Sequence, residues 1–242
     1  MTAPARRAAA FYDTGSGTGG ARDWLTLLHP PYTMWHLSYV ALGAAVVPHL
    51  VLWRLGGTLL AFFLAVGIGA HALDELHGRP LGTGISSRWL VVAAVLSIGA
   101  AMAAGLAYGG LALLPFVVAG GLFVTGYNLE FLHGALHNDL GFAVTWGAFP
   151  VLVGAYAQHG TLPPAAFVAA VAALLISLGQ RYLSTAARTL RRKASQVSVT
   201  ITWRDGSRRE IGKAELLAPL ERALRALAWA MGALAVALVL AR

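Results

Sequence analysis

Long apolar stretches, separated by short polar or glycine-containing breaks, fill most of the chain after residue 30. A helix needs about 20 mostly apolar residues to cross a bilayer, and these stretches come close to that length. The pattern therefore predicts seven membrane-spanning helices. They are expected at about 31–53, 56–77, 87–108, 111–133, 140–158, 163–186 and 215–241.

Two segments depart from this pattern. Residues 1–28 are polar and glycine-rich, which predicts a flexible N-terminal tail. After the sixth span, apolar and polar residues alternate up to Trp203, and Asp205 and Gly206 follow, which is typical of a β-hairpin. We expect this hairpin to lie against lipid or the helix ends, and the alternative is a partner-binding element. The chain thus divides into a tail (1–28), a bundle (29–194), a hairpin (195–212) and a C-terminal transmembrane helix (213–242).

Composition supports a membrane protein and indicates its orientation. Of the 242 residues, 57% are hydrophobic and only 12% are charged, whereas a soluble domain has about 25% charged residues. The absence of cysteine excludes disulfides and thiolate metal sites. Nine of the 18 Lys and Arg residues fall between Arg181 and Lys213, which is typical of a cytoplasmic loop rather than of a nucleic-acid-binding surface. We therefore expect an integral protein of a bacterial inner membrane, with its N-terminus in the cytoplasm and no nucleic-acid partner.

Acidic and histidine residues form two clusters within the apolar pattern. A charged residue at the centre of a membrane helix costs roughly 2.5–3.5 kcal/mol, so such clusters call for a functional reason. The fourth span ends in Glu130, His133 and His137, which a continuous helix would place within about 60° of one another. The second span ends in His71, Asp74, Glu75 and His77. In the predicted topology both clusters lie on the cytoplasmic side of the membrane.

The residue types in these clusters indicate a metal site. Glu-x-x-His spacing is used by carboxylate metal sites in helix bundles, and mixed imidazole and carboxylate ligands suit iron, zinc, copper or manganese better than magnesium. We therefore predict one or two transition-metal ions, with iron as the leading choice. The predicted ligands are His36, His71, Asp74, Glu75, Glu130, His133 and His137. The alternative is a hydrogen-bonded polar cluster near the headgroups, in which Asp74 and Glu75 pair with Arg79 or Arg88.

Several short motifs, in this order, resemble the UbiA prenyltransferase superfamily. They are His29-Pro30-Pro31 at the start of the first span, the run from Arg79 to Ser86 after the second, and Tyr127-Asn128-Leu129-Glu130 in the fourth. The resemblance covers about residues 28–190. It implies an all-α membrane bundle that binds an isoprenoid diphosphate through magnesium, which two Asp-rich motifs hold at the ends of the second and sixth helices.

The chain departs from that family where magnesium would bind. The positions of the first Asp-rich motif hold His71, Glu75 and Arg79, and the end of the sixth span has basic residues and no acid. Magnesium prefers oxygen ligands and usually bridges carboxylates to phosphates, so these changes argue against the family's usual reaction.

We therefore expect an all-α integral membrane protein with about seven helices in a UbiA-like bundle and a short cytoplasmic β-hairpin. The expected function is that of a metalloenzyme acting oxidatively on a neutral or singly charged lipid or isoprenoid-like substrate. The alternatives are a divergent prenyltransferase whose basic sixth-helix end binds diphosphate directly, and a non-catalytic metal or lipid carrier. The residues expected beside the substrate are His77, Tyr127, Gly134, Gln180 and Arg181.

Overall fold

The computed structural model describes residues 8–242, apart from the side chain of Leu132. These residues form eleven α-helices and one two-stranded sheet. The helices are α1 Ala21–Leu27, α2 Pro30–Ala45, α3 Leu52–Phe62, α4 His71–Leu76, α5 Ser87–Gly109, α6 Leu114–Asn128, α7 Phe131–Gly134, α8 Asp139–Phe142, α9 Phe149–His159, α10 Pro164–Arg188 and α11 Lys213–Leu240. The strands are β1 Ser198–Thr202 and β2 Arg208–Gly212.

Short π- and 3-10-helical segments join some of these helices into longer stretches. The π-helical segments Phe63–Ala70, Ala143–Ala148 and Thr189–Lys193 connect α3 to α4, connect α8 to α9, and extend α10. The 3-10 segment Gly110–Leu113 connects α5 to α6.

Five stretches of residues 8–242 are helical, long and apolar enough to cross a membrane. They are Leu52–Leu76, Ser87–Asn128, Asp139–His159, Pro164–Lys193 and Lys213–Leu240. Their length and composition indicate an integral membrane protein, so the predicted all-α membrane class is confirmed at this level.

The stretch Ser87–Asn128 accounts for two of the predicted spans. It turns at Gly110, whose positive φ of 62° is a conformation that glycine adopts without strain. On either side of the turn, Gly105 lies against Val117 and Gly121 lies against Met102, so α5 and α6 run antiparallel.

The first predicted span differs from the structure at its C-terminal end. It was expected to run to residue 53, but α2 ends at Ala45 and α3 begins at Leu52. Pro48 has no N–H for a helical hydrogen bond, and the Val51 N–H donates to Gln158 Oε1 (2.8 Å) instead of to a helical carbonyl.

Helix α2 lies at the centre of the bundle, packed against α9 and α11. Two glycines allow its backbone to approach α9 closely. A Cβ at Gly43 would overlap the Val151 carbonyl, and a Cβ at Gly154 would overlap the Val40 carbonyl. Small residues at such crossings are the usual means of close helix packing in membranes, where burial of apolar surface gives little driving force between helices.

The N-terminal segment contradicts the prediction of a flexible tail, as far as residues 8–28 are concerned. Asp23 in α1 is fully buried, and its carboxylate accepts hydrogen bonds from Gly17 N (2.9 Å), Gly19 N (2.6 Å) and Gly84 N (3.1 Å). These bonds fasten the glycine-rich segment to the loop after α4, so glycine here permits close backbone approach rather than disorder.

The predicted β-hairpin is confirmed. Strands β1 and β2 are antiparallel, with Val199 opposite Ile211 and Thr202 opposite Arg208. Gly206 has φ 84° in the connecting turn, as the Asp-Gly signal requires.

Candidate functional site

A polar cavity of about 420 Å³ lies at one end of the bundle. Its wall is built from the start of α2, from α4, from the ends of α6, α8 and α10, from the first half of α11 and from residues 9–12. We call this cavity the chamber. Most of the polar residues singled out in the sequence line it: His36, His71, Asp74, His77, Tyr127, Glu130, His137, Gln180 and Arg181.

Two imidazoles of the chamber have a defined tautomer. His36 Nδ1 lies 2.9 Å from the Trp146 carbonyl oxygen, and His71 Nδ1 lies 3.1 Å from the Gly67 carbonyl oxygen. A carbonyl oxygen only accepts, so each Nδ1 carries the hydrogen and each Nε2 keeps a lone pair when the ring is neutral.

A third imidazole, that of His29, connects the chamber to the N-terminal segment. Its ring stacks on the His71 ring with 4.1 Å between centroids, and its Nδ1 lies 2.6 Å from Tyr12 Oη. Both His29 and Tyr12 line the chamber. Tyr12 is not among the residues predicted from the sequence, because the glycine-rich composition around it predicts a flexible tail. The adjacent aromatic residues Phe11 and Tyr12, in an otherwise polar segment, were the available signal.

One wall of the chamber is basic. Arg181, Arg188, Arg191, Arg192 and Lys193 all come from the end of Pro164–Lys193. Arg191 forms a two-pronged ion pair with Glu221, with 2.7 Å for each hydrogen bond, and Arg181 Nε lies 3.1 Å from Asp139 Oδ1.

The other three cations have no carboxylate partner among residues 8–242. Arg188 donates to Thr185 Oγ1 (3.2 Å) and Arg192 donates to the Ala9 carbonyl (3.0 Å). Three positive charges beside a polar cavity make this wall attractive to an anion.

Buried polar atoms without partners also lie at the chamber. His29 Nε2, Tyr127 Oη and Gln180 Oε1 are shielded from solvent and have no hydrogen-bond partner within the described part of the chain. All three residues line the chamber and are at most 9% exposed. An unpaired buried donor or acceptor costs about 1–3 kcal/mol, so these atoms favour a bound ligand that supplies the partners.

Three predicted site residues lie outside the chamber wall: Glu75, His133 and Gly134. Glu75 is fully buried, and it accepts hydrogen bonds from Leu81 N (2.9 Å), Thr83 N (2.7 Å) and Thr83 Oγ1 (2.8 Å). Its carboxylate therefore organises the loop after α4. The alternative reading, in which Glu75 pairs with Arg79 or Arg88, is not found among the ion pairs of residues 8–242. Arg79 donates instead to the Ile85 carbonyl and to Ser87 Oγ.

The expected helical face of Glu130, His133 and His137 is wrong, because α6 ends at Asn128. Glu130 and His133 have positive φ values of 52° and 59°, so the chain turns here instead of continuing as a helix. The turn brings His137 back over α6, where its ring stacks on Tyr127 with 4.6 Å between centroids, and its Nδ1 lies 3.7 Å from Glu130 Oε1. His133 is left exposed.

Within residues 8–242, no three histidine or acidic side chains come close enough together to hold a metal ion. The transition-metal centre therefore stays a prediction from the sequence.

An apolar groove adjoins the chamber. It has a volume of about 120 Å³ and lies among α3, α5, α6 and α9. Val66 and Trp146 line both spaces, so the groove and the chamber adjoin at these two side chains. The remaining groove wall includes Phe62, Met102, Phe116, Val117 and Phe149. A polar space beside an apolar one suits an amphiphilic molecule with a polar head and a long tail.

Comparison of the chain with protein-family models, with curated proteins and with solved structures found no match.

Proposed function

We propose that this membrane protein binds and acts on a long-chain, isoprenoid-like lipid with a phosphate-bearing head. The head lies in the chamber and the tail lies in the groove. One observation carries the proposal. Within residues 8–242, the chamber is lined by cations without carboxylate partners and by buried polar atoms without hydrogen-bond partners, and an apolar groove adjoins it.

The proposed architecture is the one that the resemblance to the UbiA superfamily implies, but the phosphate head is bound in a different way. In place of magnesium held by aspartates, Arg188, Arg192 and Lys193 neutralise the head. Arginine presents a planar fork of N–H donors that matches phosphate oxygens, and a charge-assisted hydrogen bond of this kind is about twice as strong as a neutral one. The expected binding therefore needs no added divalent ion.

The test compares three probes that share one tail: farnesol, farnesyl phosphate and farnesyl diphosphate. Binding to the detergent-solubilised protein is measured calorimetrically, with EDTA present. We expect farnesyl phosphate to bind at least ten-fold more tightly than farnesol, because hydrogen bonds to a charged group contribute about 1.5–3 kcal/mol each. Equal affinities for all three probes, or phosphate binding that requires magnesium, contradict the proposal.

Substitutions in the basic wall give the matched controls. Arg192→Gln and Arg188→Gln should each weaken farnesyl phosphate binding by roughly ten-fold and leave farnesol binding unchanged. Arg204→Gln removes an exposed arginine of the hairpin turn and should change neither affinity. Equal losses in all three variants would mean that only the overall charge of the protein matters.

We further propose that the chamber opens on the cytoplasmic side of a bacterial inner membrane, with the N-terminus on that side. Nine of the 18 Lys and Arg residues fall between Arg181 and Lys213, and this concentration of positive charge supports the orientation. Because the chain has no cysteine, single cysteines can be introduced without background labelling. In intact cells, Ser207→Cys in the hairpin should resist a membrane-impermeant maleimide, and Thr161→Cys at the other end of the bundle should react. The reverse pattern would invert the orientation.

A metal-dependent oxidation, such as desaturation or hydroxylation of the lipid, is the second candidate function. It is favoured by His36 and His71, since donation of Nδ1–H to a carbonyl is the usual way in which a metal-binding histidine is oriented, with Nε2 left for the metal. Elemental analysis of protein purified without nickel tests it. One or two transition-metal ions per chain are expected, lost in His71→Ala and Glu130→Ala. Protein that folds normally and carries no metal removes this candidate.

A further inference from the structure

The N-terminal segment supplies part of the chamber wall. Residues 9–12 line the chamber, and Arg192 Nε donates to the Ala9 carbonyl (3.0 Å). The Phe11 ring packs edge-on against Tyr12 and Tyr32, and the Arg225 guanidinium lies 5.3 Å from the centre of the Phe11 ring. Tyr12 is therefore held by packing, with its hydroxyl directed at His29.

His29 is buried, and no carboxylate of residues 8–242 forms an ion pair with its ring. A buried imidazole without a negative partner is neutral, because burial disfavours the charged form. Burial also raises the pKa of the Tyr12 hydroxyl well above its usual range, so that hydroxyl keeps its hydrogen. One hydrogen on the imidazole and one on the hydroxyl must then be placed between Tyr12 Oη, His29 Nδ1 and His29 Nε2.

Two arrangements satisfy the 2.6 Å contact between Tyr12 and His29. If Nδ1 carries the imidazole hydrogen and donates to Tyr12, the tyrosine hydrogen needs a further acceptor, and Nε2 presents a lone pair to the chamber. If Tyr12 donates to Nδ1, its hydrogen is used, and Nε2 presents an N–H. His29 Nε2 is the buried atom that has no partner among the described residues, and a phosphate oxygen beside the basic wall can accept from it only in the second arrangement.

We propose that Tyr12 and His29 form a head-recognition pair, in which Tyr12 Oη donates to His29 Nδ1 and His29 Nε2–H donates to a phosphate oxygen of the bound lipid. This inference rests on the proposed function and names a contact that arginines do not provide. Tyr12 is the positioning residue and His29 makes the contact. The stacked His71 ring fixes the plane of His29, because His71 is itself held by its bond to the Gly67 carbonyl.

Three variants separate the two roles when farnesyl phosphate binding is measured. Tyr12→Phe removes only the hydroxyl and should weaken binding by roughly three- to ten-fold, since Nε2 then carries the hydrogen for part of the time only. His29→Gln keeps an N–H donor near the position of Nε2 and should retain most of the affinity. His29→Ala removes the donor and should lose about ten-fold or more, as expected for one hydrogen bond to a charged group.

The double variant Tyr12→Phe/His29→Gln should bind no more weakly than His29→Gln alone, because Tyr12 acts through His29 Nδ1. Tyr182→Phe is the matched control, since Tyr182 is 59% exposed on α10 and lies outside the chamber wall. Farnesol binding should be unchanged in all these variants.

The hydrogen on Nε2 can be observed directly in the wild-type protein. In ¹⁵N-histidine-labelled protein, with His29 assigned by the signals lost in His29→Gln, we expect the Nε2 resonance of a protonated nitrogen and the Nδ1 resonance of an unprotonated one. A hydrogen on Nδ1, or equal binding by the wild type, Tyr12→Phe and His29→Ala, overturns the pair. If the wild-type protein itself does not prefer farnesyl phosphate to farnesol, the proposed function fails as well. A wild-type preference that is undiminished in Tyr12→Phe and His29→Ala refutes the pair alone.

Discussion

Replacing Asp23 with asparagine tests whether the N-terminal segment is held as the structure indicates. The Asp23 carboxylate accepts from Gly17 N through Oδ1, and from Gly19 N and Gly84 N through Oδ2. An asparagine side chain keeps one accepting oxygen, and its amide nitrogen cannot accept. At least one of the three backbone N–H groups therefore loses its acceptor, and the others donate to a neutral oxygen instead of a charged carboxylate.

The size of the effect follows from these bonds. Hydrogen bonds to a charged group contribute about 1.5–3 kcal/mol, so the closed state of residues 15–20 should lose about 2–4 kcal/mol in Asp23→Asn. Since about 1.4 kcal/mol is a factor of ten, local opening becomes roughly 30- to 1,000-fold more frequent. Hydrogen exchange followed by mass spectrometry should show this as faster exchange of peptides that contain Gly17, Gly19 and Gly84.

The pH dependence has a defined sign. Burial alone would raise the pKa of Asp23, but the N–H groups of Gly17, Gly19 and Gly84 outweigh it and hold the pKa below its usual range. A lowered folded-state pKa contributes stability above the unfolded value of about 3.9, and this contribution is lost as the pH falls through the folded-state pKa. The difference in thermal stability between the wild type and Asp23→Asn should therefore be full at pH 7 and shrink below about pH 4.

Asp205→Asn is the matched control. Asp205 also has a lowered pKa, because it accepts from the Ser207 hydroxyl and the Ser207 N–H, but it lies exposed in the hairpin turn. The Asp205→Asn substitution should leave hydrogen exchange at Gly17 and at Gly84 unchanged. Exchange in Asp23→Asn within three-fold of the wild type at those glycines would refute the reasoning.

Three further changes test the loop, the helix crossing and the groove. Glu75→Gln should lower the free energy of unfolding by about 1.5–3 kcal/mol through loss of a charged acceptor for the loop after α4, whereas the exposed Glu210→Gln should have no effect in the same denaturation assay. Gly43→Ala should lower the melting temperature because its Cβ would overlap the Val151 carbonyl, whereas Gly99→Ala meets open space and should raise it slightly; similar shifts for both would contradict the close crossing. Gly120→Leu should fill the groove and weaken farnesyl phosphate binding at least ten-fold while leaving the binding of the shorter dimethylallyl phosphate intact. An equal loss of affinity for both probes would mean that the lipid tail does not lie in the groove.

The features that the sequence determined by itself are local or compositional. The apolar stretches predicted the membrane helices, since crossing a bilayer requires only length and hydropathy. The alternation before Asp205 and Gly206 predicted the hairpin, since a strand and its turn are specified by neighbouring residues. The polar residues at the ends of the spans predicted a shared layer, because antiparallel helices bring alternate ends to one side. Most of those residues do line the chamber.

The tertiary structure decided how these residues are used. Glu75 is separated from Thr83 by a few residues only, yet its side chain turns to the loop because three donors meet it there. Asp23 and Gly84 lie far apart in sequence, and no periodic pattern links them. The end of α6 at Asn128 depends on left-handed residues such as Glu130, which propensity does not favour and which the surrounding contacts must hold in place. These pairings depend on which distant groups meet after the helices pack, and hydropathy along the chain carries no information about that.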